Sequence, residues 1–413
     1  MEVVRIPVEI FCQRGTSLAA RRQMLEAYND FLIHGLPKGV ADVSSFIKTD
    51  ELLPDDGSNK GHEYDPRLIQ GAAKPLIKVL VGREIVPVSD ELKKQWSVDA
   101  KITYSSGLTP EGVGRWMEVV VETFHEPFFI EVDFYRWDCH LGEGACGTEQ
   151  IVYKRVFNIS KIAQHCLKCQ LHTRGRTRFG IEYRVDYTRR SGDSNTSVGN
   201  SLLNGGLHGY FFETMFLGKF KVIVLGDDML CAVDRSVARH WDQGAYEVFV
   251  RSLGLEPEIK THEQAHSASF CSSYFYPIVK VGPQPRLTYV LAPKMGRVLS
   301  KWGYAIGRPV KGDSQLLAGE IISSLPHGWV VPGFCELISR YNVGGRYTMP
   351  KWNRPLDSPL MFWGKPDQLS DYYRFDGRYH DMIAFIYSCS RAHLNQMTRD
   401  CRSFAAAFAL SCE

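Results

Sequence analysis

The sequence predicts an α+β fold, in which strands and helices follow one another without the regular alternation of a doubly wound parallel sheet. Two observations support this prediction. Short apolar runs on both sides of Gly226-Asp227 are typical of a β-hairpin over 220–233. Segments with helical periodicity lie between the strand-like runs, so helices are expected to back the sheet. With 413 residues, 44% of them hydrophobic, the chain is long enough to form more than one lobe.

The predicted elements can be placed in order along the chain. An amphipathic helix is expected over 16–33, and Leu53–Asn59, rich in proline, glycine and aspartate, is expected to be a loop. The later elements are a helix at 111–123, a strand at 128–133, a helical stretch at 148–169, a strand pair at 177–188, a helix at 195–215, the hairpin at 220–233 and a helical segment at 234–253.

Asp227 and Asp228 stand side by side on the predicted hairpin turn. Two adjacent like charges are unfavourable unless a cation neutralises them, and a divalent metal is the usual partner. The turn would hold both carboxylates at one exposed tip. A solvated turn without a function is the alternative, because Asp-Asp pairs are common in turns.

A second pair of carboxylates lies upstream of the hairpin. The apolar segment Pro127–Val132 is expected to be a strand that runs into Asp133, and Asp138 follows five residues later. Asp133, brought beside Asp227 and Asp228, would complete a set of carboxylates able to hold two Mg²⁺ ions. Two such metal ions bind the attacking and leaving oxygens in phosphoryl transfer. An ordinary strand with a terminal aspartate is the alternative.

The third block, 189–203, has the pattern of a flexible glycine loop followed by a helix, with Ser194 or Asn195 as its N-cap. Thr196 and Asn200 are four residues apart and therefore share one face of this helix. Hydroxyl and amide groups suit recognition of a sugar hydroxyl, and the 2′-hydroxyl distinguishes RNA from DNA. The polar first turn of an ordinary helix is the alternative.

In their order and spacing, the three blocks resemble the palm motifs of viral RNA-dependent RNA polymerases from positive-strand RNA viruses, in the tombusvirus- and flavivirus-like branch. The first motif there often has the pattern Asp-x-Ser-Arg-Phe-Asp-x-His, which 133–140 match except at Tyr135 and Trp137. The second is Ser-Gly-Asp-x-Asn-Thr-x-x-Gly-Asn, which 191–200 match throughout. The third is Gly-Asp-Asp, found at 226–228.

The resemblance implies a right-hand polymerase of fingers, palm and thumb, with an antiparallel-sheet palm backed by helices. Residues 1–126 are assigned to the fingers and fingertip segments, 127–280 to the palm with a fingers insertion near 141–190, and 281–413, from position, to the thumb. The implied activity is template-dependent RNA synthesis in viral genome replication. In that reaction a nucleotide passes from a nucleoside triphosphate to an RNA 3′-hydroxyl.

The resemblance also implies roles for the acidic residues. Asp133 and Asp227 are expected to bind two Mg²⁺ ions, for which Mn²⁺ can substitute, with Asp228 as an adjacent, weaker ligand. One ion would lower the pKa of the primer 3′-hydroxyl and the other would hold the triphosphate. Lys260 lies near the position of the lysine that protonates pyrophosphate in the family. The local match is loose, and a surface lysine is the alternative.

The resemblance also implies which residues recognise the ribose of the incoming nucleotide. Asp138 and Asn200, assisted by Thr196 or Ser191, are expected to recognise the 2′-hydroxyl of the incoming nucleotide. In a reverse transcriptase, a bulky residue usually blocks the 2′-hydroxyl at the place of Asp138. That class also has an aromatic residue two positions before the aspartate pair, where this chain has Leu225.

Two segments are similar to parts of the basic fingertip motif of the family. Ser45–Glu51 has Asp50 where the family has glutamate, and Asp65–Gln70 matches the later Pro-Arg-x-Ile-Gln part. These side chains bind the triphosphate in the family, since its charge must be offset by cations. Lys48 and Arg67 are therefore expected to contact the nucleotide. A solvated basic loop is the alternative.

Contacts with RNA are expected from local features, because the net charge is only +3 and the pI about 8.2. Ser269–Ser273 is similar to the primer-grip motif, so Cys271 and Ser272, together with Gly192, are candidates for RNA contact. Further candidates are the basic residues Arg174, Arg176, Arg178, Arg184, Arg189 and Arg190 and the lysines and arginines of 60–83. Scattered solvated cations are the alternative.

The chain has 11 cysteines, an odd number without a dense framework, which favours reduced thiols and a cytosolic setting. Cys166 and Cys169 could bind zinc with His165 or His172. These ligands share one short segment without a distant second pair, so helix-packing cysteines are the preferred interpretation.

No secretory signal and no apolar run of the length of a membrane span is visible in the sequence. The expected location is the host cytoplasm, at membrane-associated replication sites reached through other proteins. The expected partners are template and nascent RNA, nucleoside triphosphates and other viral replication proteins. Besides a reverse transcriptase, a non-catalytic RNA-binding relic of a polymerase remains as an alternative.

Overall fold

The computed structural model describes residues 3–47 except position 16, residues 68–294, and in the C-terminal region 373–388 with Val330 and a few single positions. Lys48, Arg67 and the predicted loop Leu53–Asn59 lie outside the described residues. The chain divides into two compact units. The first comprises Met1–Tyr104, Val132–Met229 and Arg239–Ile259, and the second comprises Ser105–Glu131, Leu230–Ala238 and Lys260–Glu413.

Helices and strands alternate irregularly along the described parts of the chain, which confirms a mixed fold of helices and sheets. The helices are α1 Val8–Cys12, α2 Leu18–His34, α3 Pro75–Gln95, α4 Pro110–Thr123, α5 Trp137–His140, α6 Glu143–Arg155, α7 Lys161–Gln170, α8 Thr196–Met215, α9 Arg235–Ala238, α10 Gln243–Ser252 and α11 Gly377–Tyr387. The strands are β1 Val43–Ile47, β2 Leu68–Ala72, β3 Ile102–Tyr104, β4 Pro127–Phe134, β5 His172–Thr177, β6 Glu182–Asp186, β7 Phe220–Leu225, β8 Asp228–Asp234, β9 Pro257–His262, β10 Ser269–Phe270, β11 Ser273–Lys280, β12 Arg286–Pro293 and β13 Tyr373–Arg374.

These strands form sheets with both parallel and antiparallel pairs. One sheet has the order β2-β1-β5-β6, in which β1 pairs antiparallel with β2 and parallel with β5. A second has the order β10-β11-β12, with β13 also paired to β11. A third has the order β3-β7-β8-β4-β9. In the third sheet β3 runs parallel to β7, so this sheet contains a parallel pair, whereas the resemblance to the family implied an antiparallel sheet.

Several predicted elements differ from the observed ones at their ends. The stretch 148–169 is not one helix, because α6 ends at Arg155 and α7 starts at Lys161. Asn158 in the gap has a positive φ of 49°, and the Ser160 hydroxyl accepts a hydrogen bond from the Ala163 amide, which starts the second helix. The segment 234–253 is also divided, since Asp242 caps a separate helix, α10.

In the first unit, α3 lies at the centre of the main apolar cluster. Its buried residues, among them Leu80 and Ile85, pack with Tyr153 of α6, Cys166 of α7 and Val198 of α8. Pro75 is the first residue of α3, a place where its missing amide hydrogen costs no helical hydrogen bond. Helix α8 packs in addition against β7, the strand that leads to the Gly-Asp-Asp turn.

In the second unit, α4 packs directly on β12. A Cβ at Gly114 of α4 would overlap the Tyr289 carbonyl, so the close approach requires glycine there. Glu118 of the same helix pairs with Arg115 at 2.8 Å and with Arg286 of β12 at 3.3 Å. Within the described ranges, none of the helices combines the length and the apolar character that crossing a bilayer requires.

Candidate active site

The Gly-Asp-Asp segment forms the tight turn between β7 and β8. Five of the six residues of β7 are buried, and β8 begins at Asp228. Gly226 has a φ of 65°, in the left-handed region that favours glycine. Asp227 and Asp228 are half-buried at this turn. The predicted hairpin is therefore confirmed, and buried strands on both sides hold its carboxylates in place.

Asp133 lies one residue before the end of β4, and its side chain is exposed. In the sheet order, β4 is the neighbour of β8, the strand that starts with Asp228. The Oδ1 atom of Asp133 accepts a hydrogen bond from the Phe134 amide at 2.8 Å. The acidic segments that the sequence predicted to converge are thus carried by neighbouring strands.

The carboxylate side chains of Asp133, Asp227 and Asp228 are of a type that suits a hard divalent cation. Carboxylate oxygens are the ligands that Mg²⁺ prefers, and it is commonly held by one or two of them together with water and substrate phosphates. Among the residues that the structure describes, no three histidine, cysteine, aspartate or glutamate side chains are already grouped to hold a metal. The carboxylates present suit an ion that substrate phosphates help to bind.

Asp138, Ser191 and Asn200 come together as the sequence predicted. The Asp138 carboxylate accepts a hydrogen bond from the Ser191 hydroxyl and another from the Asn200 amide, each at 3.0 Å. The Asp138 carbonyl also accepts from the Arg189 amide at 2.8 Å. Ser191 is exposed and Asp138 half-buried, whereas Asn200 is 4% exposed. Solvent reaches this cluster from the Asp138 and Ser191 side.

Two other residues of the second block have different surroundings. The Thr196 hydroxyl donates to the Arg190 carbonyl at 2.6 Å and so belongs to the start of α8 rather than to the Asp138 cluster. The Gly192 amide donates to the Gln70 carbonyl at 3.0 Å, and a Cβ there would lie 2.6 Å from that oxygen. Gly192 therefore allows the loop to pass close to β2.

Helix α8 contacts the turn through two residues that were not predicted as site residues. Asn204 is fully buried, and its Nδ2 donates to the carbonyls of Gly226 at 3.0 Å and Asp227 at 2.9 Å. The Ser201 hydroxyl accepts from the Gly226 amide at 2.7 Å. Ser201, Asn204 and His208 are polar residues that share one face of α8, and this spacing was a usable signal in the sequence.

Arg189 contacts the cluster and Glu149 is linked to it through Arg189; Glu149 was not predicted as a site residue, and Arg189 was predicted only as a candidate for RNA contact. Arg189 Nε donates to Asn200 Oδ1 at 2.8 Å, and its guanidinium pairs with Glu149. Arg190 is 1% exposed, pairs with Asp193 at 2.6 Å and donates to the Ala41 carbonyl. The prediction that Arg189 and Arg190 belong to a surface that contacts RNA is therefore wrong, because both are buried and paired.

The other arginines of that predicted group do lie on the surface. They are all exposed on the hairpin of β5 and β6: Arg174, Arg176, Arg178 and Arg184. Arg174 and Arg184 are direct cross-strand partners. At the tip of the hairpin, Arg178 stacks over the ring of Phe179 at 4.6 Å.

Three of the predicted site residues belong to the second unit. Lys260 is exposed on β9. Cys271 and Ser272 form the two-residue turn between β10 and β11, and both have left-handed backbones with φ of 48° and 57°. Lys48 and Arg67 lie outside the described residues, as does Lys60 of the predicted basic segment.

The two cysteines weighed as zinc ligands have different surroundings. Cys166 is fully buried in the apolar cluster around α3, and burial raises the pKa of its thiol to about 12. Cys169 contacts His165 Nε2 at 3.6 Å on the same helix. Cys166 therefore packs in the core, as preferred from the sequence.

Comparison with known proteins relates this site to a family. Residues 62–302 match the family described as viral RNA-dependent RNA polymerase. The RNA-directed RNA polymerase of maize chlorotic mottle virus is 30% identical over 224 residues, which cover 50% of this chain and 22% of that protein. That of tomato bushy stunt virus is 28% identical over 238 residues, or 56% and 28% of the two chains.

The RNA-directed RNA polymerase of turnip crinkle virus is 30% identical over 231 residues, which cover 53% of this chain and 28% of that protein. The matched regions make up between 22% and 28% of these relatives, so the chain spans only a minor part of their length. The family match includes all of the motifs at 133–140, 191–200 and 226–228 and extends over more than half of the chain. This chain therefore belongs to the viral RNA-dependent RNA polymerase family.

Proposed function

We propose that this chain carries the nucleotidyl-transfer site of a viral RNA-dependent RNA polymerase and synthesises RNA on an RNA template. The observation that carries the proposal is the placement of the Gly226–Asp228 turn on a sheet in which β4, with Asp133, is the neighbour of β8. The cluster of Asp138, Ser191 and Asn200 lies in the same compact unit as both acidic segments. Family membership supports the same activity.

Asp133, Asp227 and Asp228 are the residues that would hold divalent metal, with two Mg²⁺ ions as the proposed occupants. Bound metal supplies a lowered pKa at the primer 3′-hydroxyl and offsets the charge of the triphosphate. The chain's own contribution is a preorganised backbone, because Asn204 and Ser201 bind both the carbonyls and the amide of the turn. The reaction rate falls steeply when catalytic groups are displaced by even a small distance.

Asp138 and Ser191 are the groups that an incoming ribose could reach, since they form the solvent-accessible side of their cluster. An ionised carboxylate can only accept hydrogen bonds, so Asp138 would accept from the 2′-hydroxyl. Asn200 is nearly buried and would act on the sugar largely through Asp138. A deoxyribose lacks the donor and would leave this acceptor unpaired, which is the basis for discrimination.

The fingers, palm and thumb assignment, with boundaries at 126 and 280, is part of the proposal. One observation supports a fingers layer built from distant segments: β1 pairs antiparallel with β2 and parallel with β5, so these two early strands share one sheet with a strand of the insertion near 141–190. The exposed arginines of the β5–β6 hairpin supply positive charge for an RNA backbone.

The remaining assignments stay predictions. They are contact of Lys48 and Arg67 with the triphosphate, proton donation by Lys260, and RNA contact by Gly192, Cys271 and Ser272. Association with other viral replication proteins at membranes of the host cytoplasm is likewise a prediction.

Template-dependent incorporation of labelled nucleotides tests the proposed function. The full chain is incubated with an RNA template, with and without a primer, and with Mg²⁺. Asp227→Ala is expected to abolish incorporation, because it removes a metal-binding carboxylate at the turn. Asp30→Ala is the matched control, since Asp30 is an exposed aspartate on α2. Incorporation by Asp227→Ala at the rate of the unchanged protein would reject the assignment.

A further inference from the structure

Glu149 of α6 and Arg189 form a buried, two-pronged ion pair in the first unit. Arg189 Nη2 lies 2.5 Å from Glu149 Oε2, and Nη1 lies 3.2 Å from Oε1. The two side chains are 7% and 4% exposed. Burial alone would lower the pKa of Arg189, but the Glu149 charge outweighs it and raises that pKa, so the guanidinium stays charged. A planar guanidinium paired in this way has a fixed orientation.

The Nε–H group of Arg189 sets the orientation of Asn200. Nε donates to Asn200 Oδ1 at 2.8 Å, and Asn200 Nδ2 donates to Asp138 Oδ1 at 3.0 Å. A guanidinium can only donate and a carboxylate can only accept. The amide therefore satisfies both neighbours in one orientation only, with its oxygen toward Arg189 and its nitrogen toward Asp138.

The ion pair of Glu149 and Arg189 packs directly against α8. Asn195, which precedes the helix, donates its Nδ2 to Glu149 Oε1 at 2.9 Å. A Cβ at Gly199 would overlap Glu149 Oε1 and would lie 2.9 Å from Arg189 Nη2. The position next to Asn200 thus has to be glycine for the pair to occupy its place. A chain of contacts runs from Glu149 through Arg189 and Asn200 to the Asp138 carboxylate.

We infer that Glu149 and Arg189 are positioning residues that set the selectivity for ribonucleotides over deoxyribonucleotides. The inference rests on the proposed function, in which Asp138 accepts from the ribose 2′-hydroxyl. A buried ion pair contributes little net stability on average. Here it aligns the amide that holds Asp138. If the pair is disturbed, Asn200 can rotate and Asp138 loses a fixed donor, so contact with the 2′-hydroxyl weakens while the metal-binding carboxylates are untouched.

The test measures kcat/KM for a ribonucleoside triphosphate and for its 2′-deoxy counterpart on one primed RNA template. Arg189→Lys keeps the positive charge but loses the planar guanidinium, which donates hydrogen bonds to Glu149 and Asn200 at the same time. Glu149→Gln keeps the shape and removes the negative charge. Gly199→Ala removes no group of the network and displaces the pair. Gly206→Ala is the matched control, because a Cβ at this position of α8 meets nothing within 4 Å.

The ribose-to-deoxyribose ratio is expected to fall about tenfold in Arg189→Lys, Glu149→Gln and Gly199→Ala, the size of effect that loss of one hydrogen bond to a charged group produces. Gly206→Ala should keep the ratio of the unchanged protein. A merely structural role would lower both rates together and leave the ratio the same. Thermal unfolding is measured for each variant, and the ratio is compared among those that remain folded at the assay temperature.

Asn200→Ala separates failure of the inference from failure of the proposed function. If Asn200→Ala lowers the ratio while Arg189→Lys and Gly199→Ala keep it, the positioning role is overturned and the proposed function stands. If the unchanged protein incorporates no nucleotide, both fall. If Asn200→Ala incorporates nucleotides with an unchanged ratio, the ribose role of Asn200 and the positioning inference fall, while template-dependent synthesis stands. In the double variant Arg189→Lys/Asn200→Ala, the ratio should equal that of Asn200→Ala alone, because both changes remove the same link.

Discussion

At the scale of single residues, Asn204 shows how a buried amide can organise a catalytic turn. Its Nδ2 faces the carbonyls of Gly226, Asp227 and Asp228 at 3.0, 2.9 and 3.3 Å. Backbone carbonyls at a tight turn lack regular partners in the sheet, and leaving them unpaired when buried is costly. Asn204 supplies that donor from α8. The position of the two carboxylates is thereby coupled to the helix that also carries Asn200.

Replacing Asn204 by aspartate is expected to lower kcat at least about tenfold, because an acceptor would then face the carbonyls of the turn, a cost of roughly 1–3 kcal/mol. The KM for the nucleotide should change little, since Asp138 and Ser191 are untouched. Steady-state incorporation kinetics measure both constants. Asn29→Asp on α2, an exposed asparagine, is the control. An unchanged kcat in Asn204→Asp would show that the turn does not depend on this donor.

At the scale of elements, the turn between β10 and β11 has a backbone that its residues do not favour. Phe270 pairs with Ser273, so only Cys271 and Ser272 connect the strands, and both have positive φ. Two-residue hairpins with this backbone prefer glycine or asparagine, because other residues bring Cβ close to a carbonyl oxygen. The tight geometry of this hairpin is thus obtained against local preference.

Ser272→Gly is expected to stabilise the protein by about 0.5–1 kcal/mol, since relief of the left-handed strain exceeds the entropy that glycine adds to the unfolded chain. Urea unfolding followed by fluorescence measures the difference. Ala27→Gly, in the interior of helix α2, is the opposite case and should destabilise, because glycine is unfavourable within a helix. A loss of stability in Ser272→Gly would contradict the left-handed backbone at this turn.

At the scale of the whole molecule, His208 links global stability to pH. The ring is fully buried, with Nδ1 2.8 Å from the Asn204 carbonyl and Nε2 2.7 Å from the Tyr246 hydroxyl. Burial lowers the pKa of His208 to about 4. A carbonyl oxygen can only accept a hydrogen bond, so the neutral ring must donate one from Nδ1. Its Nε2 then accepts a hydrogen bond from the Tyr246 hydroxyl. The folded protein thus holds this histidine uncharged well below its ordinary pKa.

His208 should therefore contribute stability that is fully present above pH 6.5 and is lost as the pH falls toward 4. In that range the unfolded chain binds a proton that the folded protein does not, and the contribution amounts to about 3 kcal/mol. Urea unfolding at pH 7 and pH 5 compares the unchanged protein with His208→Gln, which cannot titrate. The stability difference between them should shrink as the pH is lowered. A constant difference would show that His208 does not remain neutral.

Local sequence patterns were sufficient for the elements that carry the acidic residues. The apolar runs around Gly226 and before Asp133 predicted β7, β8 and β4, and the glycine loop followed by a capping residue predicted α8. These predictions hold because alternation, turn residues and caps act within a few positions of the chain. The grouping of Asp138 with Ser191 and Asn200 came from the resemblance to the family, and the structure shows the contacts directly.

The sequence by itself determined the order of the elements, the turn at Gly226, and the acidic and amide residues that are candidates for the active site. Only the tertiary structure decided that the side chains of Arg189 and Arg190 are buried in ion pairs, that Glu149 meets Arg189 across 40 positions, and that β1 pairs with β5. The physical reason is that burial and long-range pairing depend on which surfaces meet after the chain folds. A charged residue has the same local pattern whether it faces solvent or a buried partner.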